Sequence, residues 1–168
     1  MSVKLLVNLS LFIALAIVFR RLLSISVPPV GNINFGGFPI ILSGFLFGPL
    51  WGGVVGGLSD ILGYPLFPRA AYHVYFTLTS VLTGILPALI YSFFRQDKNK
   101  PSFLLITVSI FIGQFITSVY MVSYFMSQLF GYPFVMSFFH RAVSLLIRAP
   151  LYAFLSIYVI KVYNRINE

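Results

Sequence analysis

The chain has 168 residues, 59% of them hydrophobic and only 8% charged, with a formal net charge of +8; a chain this apolar is expected to be a one-domain integral membrane protein. It has no Cys, which excludes a disulfide framework, a thiolate metal site and a thiol nucleophile, and two His with three acids leave little for a metal cage. Charges this sparse form no continuous phosphate-tracking face for nucleic acid, so where the cations sit matters more than their sum.

In chain order, Lys4 precedes an apolar run that Arg20 and Arg21 close. The run resembles a signal peptide but lacks a small-x-small cleavage site, so a retained first helix over 3–23 is expected. Ser10 and Ala14 form a small-xxx-small pair, which lets a second helix approach closely in lipid, either within the monomer or from a partner. The stretch 24–35 is rich in turn formers (Pro28, Pro29, Gly31, Asn32, Asn34) and reads as a connector or a lid.

Short helices are predicted over 38–47 and 50–62, broken at Gly48-Pro49 and ended at Gly63. Neither spans a bilayer with margin, and Gly52, Gly53, Gly56 and Gly57 leave one face of the second nearly bare backbone. Short, broken helices at membrane depth are tolerated where they are buried in protein or line a cavity, so 36–76 is expected to supply part of a binding site. Longer helices follow over 70–94, 103–126 and 137–163. The first carries a stripe of Thr77, Thr79, Ser80, Thr83 and Gly84, the second carries Gln114, and the third carries His140, Arg141 and Arg148. The charged run RQDKNKP at 95–101 is an aqueous loop.

Six helices place both termini on one side. Lys4, Arg95, Lys98, Lys100, Lys161 and Arg165 share that side, which is therefore expected to be cytoplasmic. The remaining cations, Arg20, Arg21, Arg69, Arg141 and Arg148, all map to the outward half, and all are arginine. Arginine offers a planar fork for carboxylate or phosphate, so the pattern points to an anionic ligand arriving from outside. Arg148 lies about 20 Å of helix before Lys161 and about 10 Å beyond Arg141, on roughly the same helix face. A charge at that depth costs at least about 2.5 to 3.5 kcal/mol on insertion scales, and it marks either a functional site or a paired ion. Asp60, the only acid inside an apolar segment, is open to two readings: counterion to an arginine, with Arg148 at comparable depth, or acceptor for the amino-substituted edge of a heterocycle. Tyr64, Phe67, Tyr72, Tyr75 and Phe76 are nearby aromatic faces for such a ring. His73 is a pocket-lining or interface group, and Phe38 and Gln114 complete the candidate set.

The runs FGGFPIILSGFLFGPLWGGVVGGLSDILG and FTLTSVLTGILPALIY, with FRRLLSI after the first helix and the Arg148-Ala149-Pro150 step, resemble the substrate-binding S components of energy-coupling factor (ECF) transporters, most closely the folate-specific group. The FGP, GGLSD and FTLTSVLTG blocks carry most of the likeness. The resemblance implies a six-helix all-α bundle in a prokaryotic plasma membrane. Such a bundle binds a vitamin from outside and delivers it inward after docking to a transmembrane T subunit and two ATPases. It implies Arg21 and Arg148 as clamps on the glutamate carboxylates of folate, and Ser10 with Ala14, or Ala14 with Val18, as the docking face toward the T subunit. Arg20 and Arg69 join the candidates from the cation pattern alone.

The chain has no G-x-x-x-x-G-K-[ST] loop, so ATP is expected to be used by partners, with no cofactor here. Three other readings remain: an S component for another vitamin or heterocycle, an intramembrane enzyme on phosphorylated lipids, and a channel or structural bundle. The enzyme reading lacks an acid cluster or a nucleophile with its base. The structural bundle leaves the outward arginines unexplained.

Overall fold

The computed structural model describes residues 3–22, 24–27, 31–66, 72–94 and 102–167, with the side chains of 21–22, 24–27, 31–34, 164, 166 and 167 set aside. Six helices and one hairpin make up these residues. They are α1 (Val3–Leu22), β1 (Ser24–Val27), β2 (Gly31–Asn34), α2 (Gly37–Phe47), α3 (Pro49–Leu66), α4 (Val74–Phe94), α5 (Phe103–Phe130) and α6 (Phe134–Asn167). Of these, α1, α4, α5 and α6 contain segments long and apolar enough to cross a membrane. With 11 residues, α2 is about 16 Å long and does not span by itself.

The connector at 24–35 departs from expectation. It forms an antiparallel hairpin in which Ser24 pairs with Asn34, Ile25 with Ile33, Ser26 with Asn32 and Val27 with Gly31. The α2–α3 break falls at Gly48-Pro49, as its chemistry requires. Gly48 has φ +99°, where a side chain is strained, and Pro49 opens α3 at a position whose N–H would go unused. α3 does not stop at Gly63 but continues to Leu66 with Pro65 in its last turn. Pro65 there forfeits one hydrogen bond near a helix end, a smaller loss than in mid-helix. α6 also runs longer than the sequence pattern suggests, starting at Phe134 and ending at Asn167.

The α2–α3–α4 contact is built on missing side chains. A Cβ on Gly56 would stand 2.1 Å from the Ser80 carbonyl oxygen, and one on Gly84 would stand 2.1 Å from that of Gly52. The backbones therefore touch, as small residues permit in lipid. Gly113 likewise admits the Pro87 ring, whose Cγ would lie 2.6 Å from an added Cβ. Two apolar clusters complete the packing. One joins Ile41, Ile106, Ile110, Leu145 and Tyr152 between α2, α5 and α6; the other joins Leu9, Ala16, Ile40 and Val55 under α1.

Ala16 is fully buried in this second cluster, whereas Ser10, Ala14 and Val18 lie exposed, with the Ser10 hydroxyl donating to the Leu6 carbonyl at 3.0 Å. The small pair on α1 therefore faces out of the bundle rather than into it.

Candidate ligand cavity

One cavity of about 560 Å³ opens among the six helices. Its walls follow from the local structure just described. The end of α1 contributes Arg20, the first turns of α2 contribute Gly37 and Ile40, and α3 contributes Asp60. The small-residue stripe of α4 places Thr79, Ser80 and Thr83 on the wall below Phe76. The α5 wall is set by a backbone irregularity that the sequence does not signal, a π-helical stretch Phe115–Met121 between regular segments. Single wide turns of this kind re-aim side chains and recur at functional sites. Here Gln114 precedes the stretch, Ser118 sits inside it and Val122 follows it, all three on the cavity wall.

α6 gives the longest wall. Ser137, His140, Arg141, Ser144 and Arg148 recur at helical spacing and all line the cavity, with Met136 and Tyr132 toward its start. Arg141 donates from Nε to the Ser137 hydroxyl at 3.3 Å, and Arg148 donates from Nε to the Ser144 carbonyl at 3.3 Å. Arg148 is buried at 8% exposure beside Tyr152, one of the largest fully buried side chains. Neither guanidinium has a carboxylate partner among the described residues. Within the apolar candidate span of α6 the cavity thus holds two cations that no described acid compensates, an arrangement suited to an anionic ligand.

Asp60 is engaged elsewhere. It forms an ion pair with Arg20, not with Arg148. Its second oxygen accepts from the Thr77 hydroxyl at 2.8 Å, and Thr77 in turn shares a 2.8 Å hydrogen bond with the Tyr72 hydroxyl. Ser80 stands 3.4 Å from both the Asp60 carboxylate and the Arg20 guanidinium. Gly36 allows this: a Cβ there would lie 2.6 Å from the Cβ of Arg20, so only glycine admits the end of α1 at that point.

Of the residues singled out from sequence, the cavity brings together Arg20, Asp60, Phe76, Gln114 and Arg148. Four others stand off its wall. Phe38 packs on Tyr152 in the apolar core, with ring centroids 5.6 Å apart. Tyr64 packs on Tyr72, and Tyr72 serves the Asp60 network through Thr77. His73 meets Phe130 edge-on, one ring removed from Phe76, which stacks on the same Phe130. The aromatic pattern was blind to this, because core and pocket use the same rings. The Arg21 side chain, Arg69 and Phe67 lie outside the described residues. Arg141, read from the sequence as an outward arginine on the face of Arg148, also lines the cavity; Ser144 was missing from that reading, although its step of four residues to Arg148 was the available signal. Among the described residues, no three His, Asp or Glu side chains converge to hold a metal ion.

The fold and cavity define a multi-pass membrane protein with a chamber between its helices lined by polar and apolar side chains, three arginines among them. The family model for the ECF transporter substrate-specific component matches residues 4–160. The folate transporter FolT of Clostridium novyi (strain NT) is 36% identical over 152 residues, covering 90% of this chain and 85% of that protein. A crystal structure of FolT bound with folic acid superposes with a TM-score of 0.75 at 23% identity, over 94% of this chain and 93% of that one. The S component of a bacterial ECF transporter aligns with a TM-score of 0.69 at 20% identity, over 98% of both chains. The chain belongs to the family of ECF transporter substrate-specific components.

Proposed function

We propose that this protein is the folate-binding S component of an ECF importer, acting as a receptor and not as an enzyme, over a single domain of 168 residues. The observation that carries the reading is the pair Arg141 and Arg148, set in the membrane without a carboxylate partner among the described residues. The likeness to a relative named as a folate transporter supports it. Folate brings a glutamate with two carboxylates, which two guanidinium forks bind by charge-assisted hydrogen bonds. It also brings a flat amino-substituted ring, for which Phe76 offers a stacking face and Gln114 an amide with both donor and acceptor. A chamber of about 560 Å³ is within the range usual for ligands of this size.

The exposed Ser10, Ala14 and Val18 on α1 are the docking face toward a T subunit, and two partner ATPases supply the energy with no cofactor held here. The termini lie on the cytoplasmic side, where the lysines gather.

A thermal-shift screen of the detergent-purified protein against a panel of vitamins tests the ligand. Folic acid at a hundredfold excess over its Kd is expected to add about 2.7 kcal/mol of stability, and other vitamins little. A larger shift with a different vitamin, and none with folic acid, would reassign the substrate.

A further inference from the structure

The cavity wall of the described residues carries three guanidinium groups and one carboxylate. The carboxylate is engaged at both oxygens: Arg20 and Thr77 take separate ones, and Ser80 stands beside the first. A heterocycle amidine edge reaching both carboxylate oxygens would compete there with Arg20 and Thr77 for the remaining lone pairs. Displacing Arg20 would strand a cation beside the ligand, and displacing Thr77 would break the chain to Tyr72.

We infer that Asp60 is a counterion built into the cavity wall, and not a reader of the ligand's heterocycle: by neutralising Arg20 it leaves two of the three arginines on the described wall for the negative charges of a ligand. Three elements support the pair, since Arg20 ends α1, Asp60 sits in α3, and Thr77 and Ser80 begin α4. With Arg20 compensated, Arg141 and Arg148 remain among the described residues as the cations a ligand can satisfy, and a dianion matches them where a monoanion leaves one bare. Asp60 and Arg20 thus act together as a specificity element, through charge and not through contact with the ring. The inference rests on the folate reading for its choice of probe.

A double-mutant cycle tests it, with Arg20→Gln, Asp60→Asn and the double variant titrated calorimetrically with folic acid in detergent. Arg20→Gln leaves an uncompensated carboxylate facing the ligand's own charges, and its Kd is expected to rise about tenfold or more. Adding Asp60→Asn removes that carboxylate, and the double variant is expected to bind about tenfold more tightly than Arg20→Gln alone. A double variant that binds no better than Arg20→Gln would overturn the inference, since an Asp60 that read the heterocycle would be missed a second time. Because the decisive comparison is between two variants that both lack Arg20, loss of the α1 contact does not confound it. Wild-type protein that fails to bind folic acid would instead overturn the functional reading, and this inference with it.

Discussion

At the scale of single residues, the protein is governed by charge held where charge is costly. Arg148 is buried in α6 at 8% exposure, bonded through Nε to a carbonyl of its own helix and without an acid among the described residues. Such a group destabilises the empty protein and is useful only when a ligand neutralises it, so binding and stability should move in opposite directions. Arg148→Met is expected to raise the unliganded melting temperature while weakening folate by about 3 to 5 kcal/mol, as removal of one partner of a buried ion pair does. Thermal unfolding without ligand and calorimetry with it check the two halves. A variant with lower unliganded stability and unchanged affinity would refute this role. Arg141 is less buried and should cost less on removal; Arg141→Ala is expected to weaken folate by about 1 to 3 kcal/mol in the same titration. The arginines were legible in the sequence because ionised residues in apolar runs stand out. The partner of Asp60 was not, since Arg20 and Arg148 are both near in depth and only the approach of α1 at Gly36 selects the first.

At the scale of elements, the α3–α4 contact decides whether the cavity exists, because the same α4 stripe that meets α3 also presents Thr79, Ser80 and Thr83 to the chamber. Gly56→Ala would drive a Cβ into the Ser80 carbonyl, and relief by backbone shift is expected to cost about 1 to 3 kcal/mol. Because Ser80 adjoins Asp60 and Arg20, the shift should also weaken ligand binding, which thermal unfolding and titration of the one variant would show together. Gly57→Ala meets only a Val81 methyl at 3.0 Å, a side-chain end that can give, and should cost less. Glycine spacing in 52–57 made this close approach readable in advance. The π-helical stretch of α5 was not readable, since nothing in FITSVYM distinguishes a wide turn from a regular one. The β1–β2 hairpin was hidden for another reason: Pro28, Pro29 and Gly31 announce a turn without saying whether strands flank it.

At the scale of the whole molecule, the gathering of all four lysines with Arg95 and Arg165 on one side is the basis of the proposed orientation, in which the chamber opens outward. With no native Cys, single-cysteine variants report the topology directly. Arg165→Cys, exposed near the end of α6, is expected to label only from the cytoplasmic side, and Gln128→Cys, exposed near the end of α5, only from outside. The reverse pattern would invert the proposed path of the ligand. The six-helix plan and the membrane class were accessible from hydropathy and breaks alone. The chamber was not, because it depends on which faces of six helices converge, and side chains such as Phe38 and Tyr72 that looked equally eligible were drawn into the core and into the Asp60 network. The chamber is proposed to recognise folate chiefly through its carboxylates. The most direct test is a calorimetric titration of the wild-type protein with folic acid and with pteroic acid, its glutamate-free fragment. Folic acid is expected to bind with a Kd of order nanomolar, and pteroic acid at least about a hundredfold more weakly, the loss of one charge-assisted pair. Equal affinity for the two, or no binding of folic acid, would contradict the account.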